Sequence, residues 1–282
     1  MGELINEKRS LTIDGQLLIF GGNYSNLEAT RAVLEESRRL GIDSGNVVCT
    51  GDIIAYCADP LATVEVMRRS GAHVLMGNCE ESLSLNADGC GCGFEKGSPC
   101  DLLAVEWYAF ASRMLGDDAR AWMRSLPRRL HLDIGGRRLA VIHGGAQSIS
   151  RFIFASTPPE VKLDEIKLTG CDGVLGGHCG LPFTEIIDGR LWHNAGAIGM
   201  PANDGTSRTW YSTISPSRGG LRIEHHALEY DFVTAAKKMR QAGSSERYAL
   251  ALQEGLWPNC EVLPEAERAL RGKPLAPGWV EW

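Results

Sequence analysis

The 282-residue chain has no excess of positive charge: 29 lysines and arginines face 35 aspartates and glutamates, a formal net charge of -6. No strong field therefore draws it to nucleic acid or to an anionic membrane, although a localised basic pocket is compatible with that balance. Long apolar runs are missing as well. Stretches such as Leu17 to Phe20 and Leu139 to Ile142 are strand-sized, far below the roughly 20 residues of a membrane span. The first residues, Met1 to Asp14, mix Glu3, Glu7, Lys8 and Arg9 ahead of any apolar run. They show no secretory h-region, so a cytoplasmic chain is expected. Internal repeats and a domain linker are also lacking. Hydrophobic residues make up 44% of the sequence, enough for a sizeable core, and a single domain over 1–282 is expected. Cysteine is the residue in surplus, at nine. In a reducing compartment these thiols are expected as buried small hydrophobes, metal ligands or redox groups rather than disulfides.

The order of elements is an α/β signature: short apolar runs, each followed by a polar turn and a helical pattern. Leu17 to Phe20 reads as a buried strand. Asn26 is a natural N-cap for a helix through Leu40, with Leu27, Val33, Leu34 and Leu40 on its apolar face and Gly41 as its stop. A strand over Asn46 to Thr50, a helix over Leu61 to Arg69 and a strand over His73 to Met76 follow. Near Asp101 begins a helix whose Leu103, Trp107, Phe110 and Met114 predict one buried stripe. Beyond Arg128, Gly135-Gly136, Asp188-Gly189 and Gly219-Gly220 are hairpin turns, so antiparallel strands are expected to dominate there. Further helices are predicted over Glu160 to Leu168, Asp231 to Gln241 and Glu246 to Glu254. The proline-bearing segment 256–282 is expected to wrap the surface.

Four strand ends pair a metal-ligand type with glycine: Gly51-Asp52, Gly77-Asn78-Cys79-Glu80, His143-Gly144-Gly145 and Gly177-His178-Cys179-Gly180. Glycine admits close backbone approach, so a carboxylate, an amide oxygen and two imidazoles can be aimed at one centre. Such a mixed N/O set suits manganese, iron or zinc. Alone, each residue has a plainer reading, as a turn aspartate or a satisfied histidine. His73, His131, His193, His225 and His226 fall in strand-like patterns and keep that reading, with His193 nearest the site through its neighbour Asn194.

With these blocks in their order, the sequence resembles the calcineurin-like metallophosphoesterases, in particular the small bacterial members that open with Asp-x-His-Gly-Asn-Leu-Glu-Ala. Ser25-Asn26-Leu27-Glu28-Ala29 echoes that opening. Gly51-Asp52 with Asp59-Pro60 is similar to the Gly-Asp block, and Gly77-Asn78-Cys79-Glu80 to Gly-Asn-His-Asp/Glu. His143-Gly144, Gly177-His178-Cys179-Gly180 and Asn194-Ala195-Gly196 match the later blocks. The resemblance implies a four-layer α-β-β-α sandwich of two mixed sheets flanked by helices. It also implies hydrolysis of a phosphomonoester or phosphodiester by water activated on metal, with a small phosphorylated compound as substrate or ligand. In such sites two metals about 3.5–4 Å apart clamp the reacting phosphate.

The departures are concentrated. Gly22 and Tyr24 stand where the family has the opening Asp and His, and Gly180 where it has the last His, all belonging to one metal position. Asp52, Asn78, His143 and His178 are the set for the other, so one divalent ion is expected rather than two. Cys79 replaces the histidine that assists proton transfer; a thiol cannot be cationic. Cys79 and Glu80 are a candidate proton-handling pair with Asp52, and Tyr24, Cys179 and Asn194 are candidate extra ligands or lining. Tyr24 either replaces a ligand or plugs the space. Loss of one metal position leaves a second reading open: a metal-binding or ligand-sensing protein that no longer hydrolyses esters well. The segment 85–100, with Cys90, Cys92 and Cys100, is read as a glycine-rich lid at the mouth of the site. A zinc knuckle, a redox-sensitive thiol pair and simple packing are the alternatives.

Overall fold

The computed structural model describes residues 9–92 and 97–282. In chain order the strands are β1 (Arg9–Thr12), β2 (Leu17–Phe20), β3 (Val47–Cys49), β4 (His73–Val74), β5 (Arg129–Ile134), β6 (Arg137–Ile142), β7 (Gly173–Gly176), β8 (Pro182–Ile187), β9 (Arg190–Ala195), β10 (Thr209–Ser217), β11 (Gly220–Leu228) and β12 (Gly278–Glu281). The helices are α1 (Leu27–Arg39), α2 (Pro60–Arg69), α3 (Asn78–Ser84), α4 (Pro99–Met114), α5 (Asp117–Arg124), α6 (Pro159–Thr169), α7 (Phe232–Gln241), α8 (Glu246–Glu254) and α9 (Glu265–Arg268). Two six-stranded sheets result, ordered β1-β5-β6-β7-β9-β8 and β12-β11-β10-β2-β3-β4. Both are mixed, and helices flank them, as the α/β pattern predicts.

β2 shows why its run is apolar throughout. Side chains alternate between faces along a strand. Leu17 and Ile19 enter the core between the sheets, with Val48, Leu132, Val141, Leu175 and Ile214. Leu18 and Phe20 face the other way, into a core shared with Val33 of α1, Val64 of α2 and Trp107 of α4. On the far side of the β1-β5-β6-β7-β9-β8 sheet, Ala140, Val174 and Trp192 pack against Ile166 of α6. A strand covered on both faces has no polar side to display.

Several expectations are corrected. In α4 the buried residues are Leu103, Ala104, Trp107, Tyr108 and Ala111, while Phe110 is only half-buried and Met114 is 48% exposed. Leu102 and Val105 are exposed too, so this helix is apolar on more than one side and periodicity alone does not single out its core face. Beyond Arg128 the hairpins form at the expected turns, yet β7 runs parallel to β6, because α6 supplies the crossover, and to β9, because β8 intervenes. α3 and α5 were not expected, nor was β1, which pairs in parallel with β5. The C-terminal segment does more than wrap: β12 extends a sheet by pairing with β11. Among the described residues, no helix is long and apolar enough to cross a membrane.

Cys90 and Cys92 are joined in a disulfide, contrary to the expectation of unpaired thiols. Cys49, Cys57, Cys79, Cys171 and Cys179 are free and buried, as expected of small hydrophobes. Residues 93–96 of the expected lid and the side chain of Cys100 lie outside the described residues, as does most of the N-terminal stretch.

Candidate metal centre

The site lies at the carboxyl ends of parallel strands from both sheets, the usual crevice of an α/β architecture. β3 delivers Asp52, the turn after β4 delivers Asn78 at the start of α3, β6 delivers His143 and β7 delivers His178. Two glycines allow the approach. A Cβ on Gly51, where φ is +100°, would lie 2.6 Å from the Gly77 nitrogen and 3.0 Å from His143 Nδ1. A Cβ on Gly77 would lie 2.5 Å from the Asp52 nitrogen and 2.8 Å from Glu80 Oε2. Tyr24, Asp52 and His178 all adopt positive φ (51°, 58° and 62°), which is costly for residues with a Cβ and recurs at functional sites.

The donor atoms converge on one imidazole nitrogen. His143 Nε2 lies 3.2 Å from Asp52 Oδ2, 3.0 Å from Asn78 Oδ1 and 3.2 Å from His178 Nδ1. Its other nitrogen, Nδ1, is 2.8 Å from the Thr50 carbonyl oxygen. A carbonyl only accepts, so Nδ1 carries the proton and donates it there. The Asn78 amide is oriented likewise: Nδ2 donates to the Cys90 carbonyl at 3.0 Å, which turns Oδ1 towards the cluster. Three lone-pair atoms, on Asp52, Asn78 and His143, therefore face a single point, with His178 Nδ1 beside them. In a buried place this repels unless a cation, a proton or a metal ion, sits among them. Asp52, His143 and His178 offer ligand atoms all within 4.8 Å of one another.

The electrostatics follow from this crowding. Burial works to raise the Asp52 pKa, but His143 and His178 outweigh it and hold the carboxyl below its ordinary value. Burial disfavours charge on His143, yet the Asp52 carboxylate raises its pKa. Burial, then His143, push His178 down to about 3. The Phe152 ring lies over the His178 ring, with centroids 4.1 Å apart, and braces it.

The remaining sequence-predicted residues are placed as follows. Glu80 is fully buried, and its carboxylate accepts from the backbone N–H groups of Asp52 (2.8 Å), Gly77 (2.9 Å) and Ile54 (3.2 Å). It thus lies behind the cluster and grips both ligand-bearing loops. Burial and the Asp52 charge push its pKa up to about 7, against those donors. The backbone N–H of Cys79 donates to Asp52 Oδ1 at 3.3 Å, and the Cys79 side chain lines the adjoining cleft. Burial, then the Asp52 charge, push its thiol pKa well up, so it stays protonated. Asn194 is away from the cluster: Nδ2 donates to the Gly177 carbonyl at 2.7 Å and Oδ1 accepts from the Gly196 N–H at 3.0 Å, shaping the His178 loop. Cys179 lines the cleft, its thiol donating to the Leu181 carbonyl at 3.6 Å.

Tyr24 lies beside Gly22 and Gly180. A Cβ on Gly22 would fall 2.7 Å from Tyr24 Cε1, and one on Gly180 would lie 3.5 Å from the Tyr24 hydroxyl. The phenol ring thus occupies the space between the two glycines that stand in place of ligands. Burial, then Asp52, raise its pKa well above the ordinary value, so it remains a neutral phenol.

Beside the cluster opens a cleft of about 800 Å³ that is continuous with solvent. Its walls include Tyr56, Tyr248, Trp257 and Phe152, the last three of which lie outside the sequence blocks. Trp257 and its neighbours come from the expected surface wrap, where an isolated tryptophan carries no motif. Cys92 also lines the cleft, so the 85–100 segment reaches its wall.

Comparison with known proteins agrees with this geometry. The family model of the calcineurin-like phosphoesterase superfamily domain matches residues 17–214. An uncharacterized protein of Methanocaldococcus jannaschii is 24% identical over 244 residues, which is 80% of this chain and 93% of that one. Among solved structures, a metallophosphoesterase from Sphaerobacter thermophilus superposes with a TM-score of 0.66 at 22% identity, covering 86% of this chain and all of that one. A hypothetical protein from Pyrococcus horikoshii OT3 superposes with a TM-score of 0.72 at 15% identity, covering 88% of this chain and all of that one. At these identities the solved structures speak for the fold alone.

Proposed function

The chain belongs to the calcineurin-like phosphoesterase superfamily, and on that premise we propose that it hydrolyses a small phosphomonoester or phosphodiester with a single divalent transition metal, manganese, iron or zinc, held by Asp52, Asn78, His143 and His178. The observation that carries this reading is the convergence of Asp52 Oδ2, Asn78 Oδ1 and His178 Nδ1 on an imidazole whose Nδ1 proton is committed to Thr50. One carboxylate, one amide oxygen and two imidazoles fit such an ion. When bound, the ion supplies Lewis acidity to a phosphoryl oxygen and acidifies water.

The chain's own groups do the positioning. Thr50 sets the His143 tautomer, Cys90 turns the Asn78 amide, Phe152 braces His178, and Glu80 holds the Asp52 and Gly77 backbones. Such outer contacts are worth about 10–100-fold in metal affinity each. The Cys79 thiol is a neutral hydrogen-bond donor at the cleft wall; it cannot provide the positive charge that an imidazolium brings to a phosphate. Turnover is therefore slow relative to a site that has a histidine there. Tyr24 takes up the volume of the other metal position, which supports one ion rather than two.

The second reading, a metal-binding or ligand-sensing protein on this scaffold, is favoured by the same replacement at Cys79. The deciding experiment measures metal per chain in the wild type and in His143→Ala, together with manganese-dependent hydrolysis of aryl phosphate monoesters and diesters. One metal, lost in the variant, with metal-dependent turnover supports the enzyme. One metal without turnover on either ester class selects the sensor. Two metals at full occupancy overturn the assignment of Tyr24, and no metal overturns the hydrolytic reading.

A further inference from the structure

The cleft beside the cluster is built for rings rather than for charge. Tyr56 and Tyr248 stack with centroids 4.5 Å apart and planes inclined by 26°, and Tyr24 lies against Tyr56 at 4.9 Å. On the other side, Trp257 is fixed by its indole N–H, which donates to the Pro201 carbonyl at 2.6 Å. Gly180 separates the two sides: a Cβ there would touch Tyr24 at 3.5 Å and the Trp257 ring at 3.6 Å. The absent side chain therefore leaves a gap walled by aromatic surface, and this gap opens on Asp52 and His178.

The charge balance is equally specific. Among the described residues that line the cleft, none is lysine or arginine, and Asp52 is the only carboxylate. Arg151, the nearest guanidinium in sequence to the His143 loop, is paired with the buried Glu165. No basic side chain among the described residues lines the cleft to offset a second negative charge on a ligand, which favours a phosphodiester monoanion. A monoester dianion or a polyphosphate brings charge that nothing there compensates, and an uncompensated charge is costly to desolvate.

Resting on the phosphoesterase reading above, we infer that the site selects phosphodiesters bearing at least one flat, uncharged ring, held between the Tyr56–Tyr248 stack and Trp257, over phosphomonoesters and polyphosphates. The ring supplies apolar area and edge or face contacts with the aromatic walls, and the single negative charge meets the metal. Trp257 and Tyr248 are then the residues that determine specificity.

The test is equilibrium binding by titration calorimetry at pH 8, with the manganese-loaded full chain and four probes: diphenyl phosphate, dimethyl phosphate, phenyl phosphate and inorganic triphosphate. Diphenyl phosphate is expected to bind at least about tenfold more tightly than each of the others, from the ring contacts and the single negative charge. Trp257→Ala is expected to bring the diphenyl-to-dimethyl ratio within about threefold while leaving metal per chain unchanged; Tyr248→Ala, made in parallel, is expected to do the same. Tighter binding of phenyl phosphate or triphosphate overturns the inference, as does a ratio that neither variant changes. A chain that binds metal and prefers the monoester keeps the phosphoesterase reading and loses this one. A chain that binds the diester as stated but hydrolyses no ester loses the enzymatic reading and keeps this one.

Discussion

Gly77→Ala tests how the Asp52 carboxylate is held. Gly77 has φ of -90° and ψ of 175°, values open to alanine, so the substitution introduces no backbone strain and its effect is purely steric. The new methyl would sit 2.5 Å from the Asp52 nitrogen and 2.8 Å from Glu80 Oε2, inside the packing of two buried residues. Overpacking of a closed site costs about 1–3 kcal/mol. Relief requires Asp52 to move from Glu80, which strains a charge-assisted hydrogen bond worth about 1.5–3 kcal/mol. Together these give about 2.5–6 kcal/mol, or a fall of roughly 4–10 °C in the midpoint of thermal unfolding for a chain of this size. The same movement takes Asp52 Oδ2 from the cluster, so metal affinity should fall at least about a hundredfold, beyond the range for outer contacts. Gly116→Ala is the control, because its φ is -85° and a Cβ there meets nothing within 4 Å. It should shift neither quantity measurably. Calorimetric melting and a manganese titration read both effects. Wild-type values for Gly77→Ala would refute the argument that this contact sets the position of Asp52.

Further outcomes follow from other contacts. Gly22→Asp alone should destabilise through collision with the Tyr24 ring, whereas combined with Tyr24→His and Gly180→His it should raise bound metal from one to two ions per chain by elemental analysis; a persistent single ion would mean that the filled volume is not a lost metal position. Cys90→Ser with Cys92→Ser removes the closed loop whose carbonyl holds Asn78, so metal affinity should drop by about tenfold in a competition titration, and an unchanged constant would count against that support. Acid should destabilise the fold through the half-buried His225, whose pKa burial pushes down to about 4, and the buried His193, whose pKa burial also lowers. Both lie below the unfolded value near 6.5, so the unfolded chain binds these protons first. Stability is complete above pH 6.5 and falls as pH drops towards 4, by about 1.4 kcal/mol per pH unit for each histidine. Urea melts at pH 7, 6, 5 and 4.5 measure this, and a flat midpoint would refute it.

The convergence of the four candidate ligands is legible in the sequence because each lies at a strand end beside a glycine that the approach of its neighbours requires, as at Gly51 and Gly77. β2 is legible because a strand covered on both faces shows as an unbroken apolar run. Legibility fails where the chemistry is less local. The buried face of α4 is ambiguous because Leu102, Val105, Phe110 and Met114 are apolar as well as the residues that do face the core. Trp257 and Tyr248 reach the cleft from the last quarter of the chain through tertiary packing alone. Glu80 reads as a partner of Cys79 from its position, but its role depends on backbone N–H groups of Asp52 and Ile54, which sequence does not display.

The two sheets are joined at their site edge by short hydrogen bonds: Gly21 N–H to the Gly196 carbonyl at 3.0 Å, Ile198 N–H to the Gly21 carbonyl at 3.0 Å and Gly199 N–H to the Gly22 carbonyl at 2.7 Å. Each sheet also contributes two of the four ligand residues. The candidate site therefore sits on the line that ties the two sheets to each other, so amide exchange should be slowest along Gly21, Ile198 and Gly199. A cation bound among the four side chains should slow exchange along that whole line rather than at those four residues only.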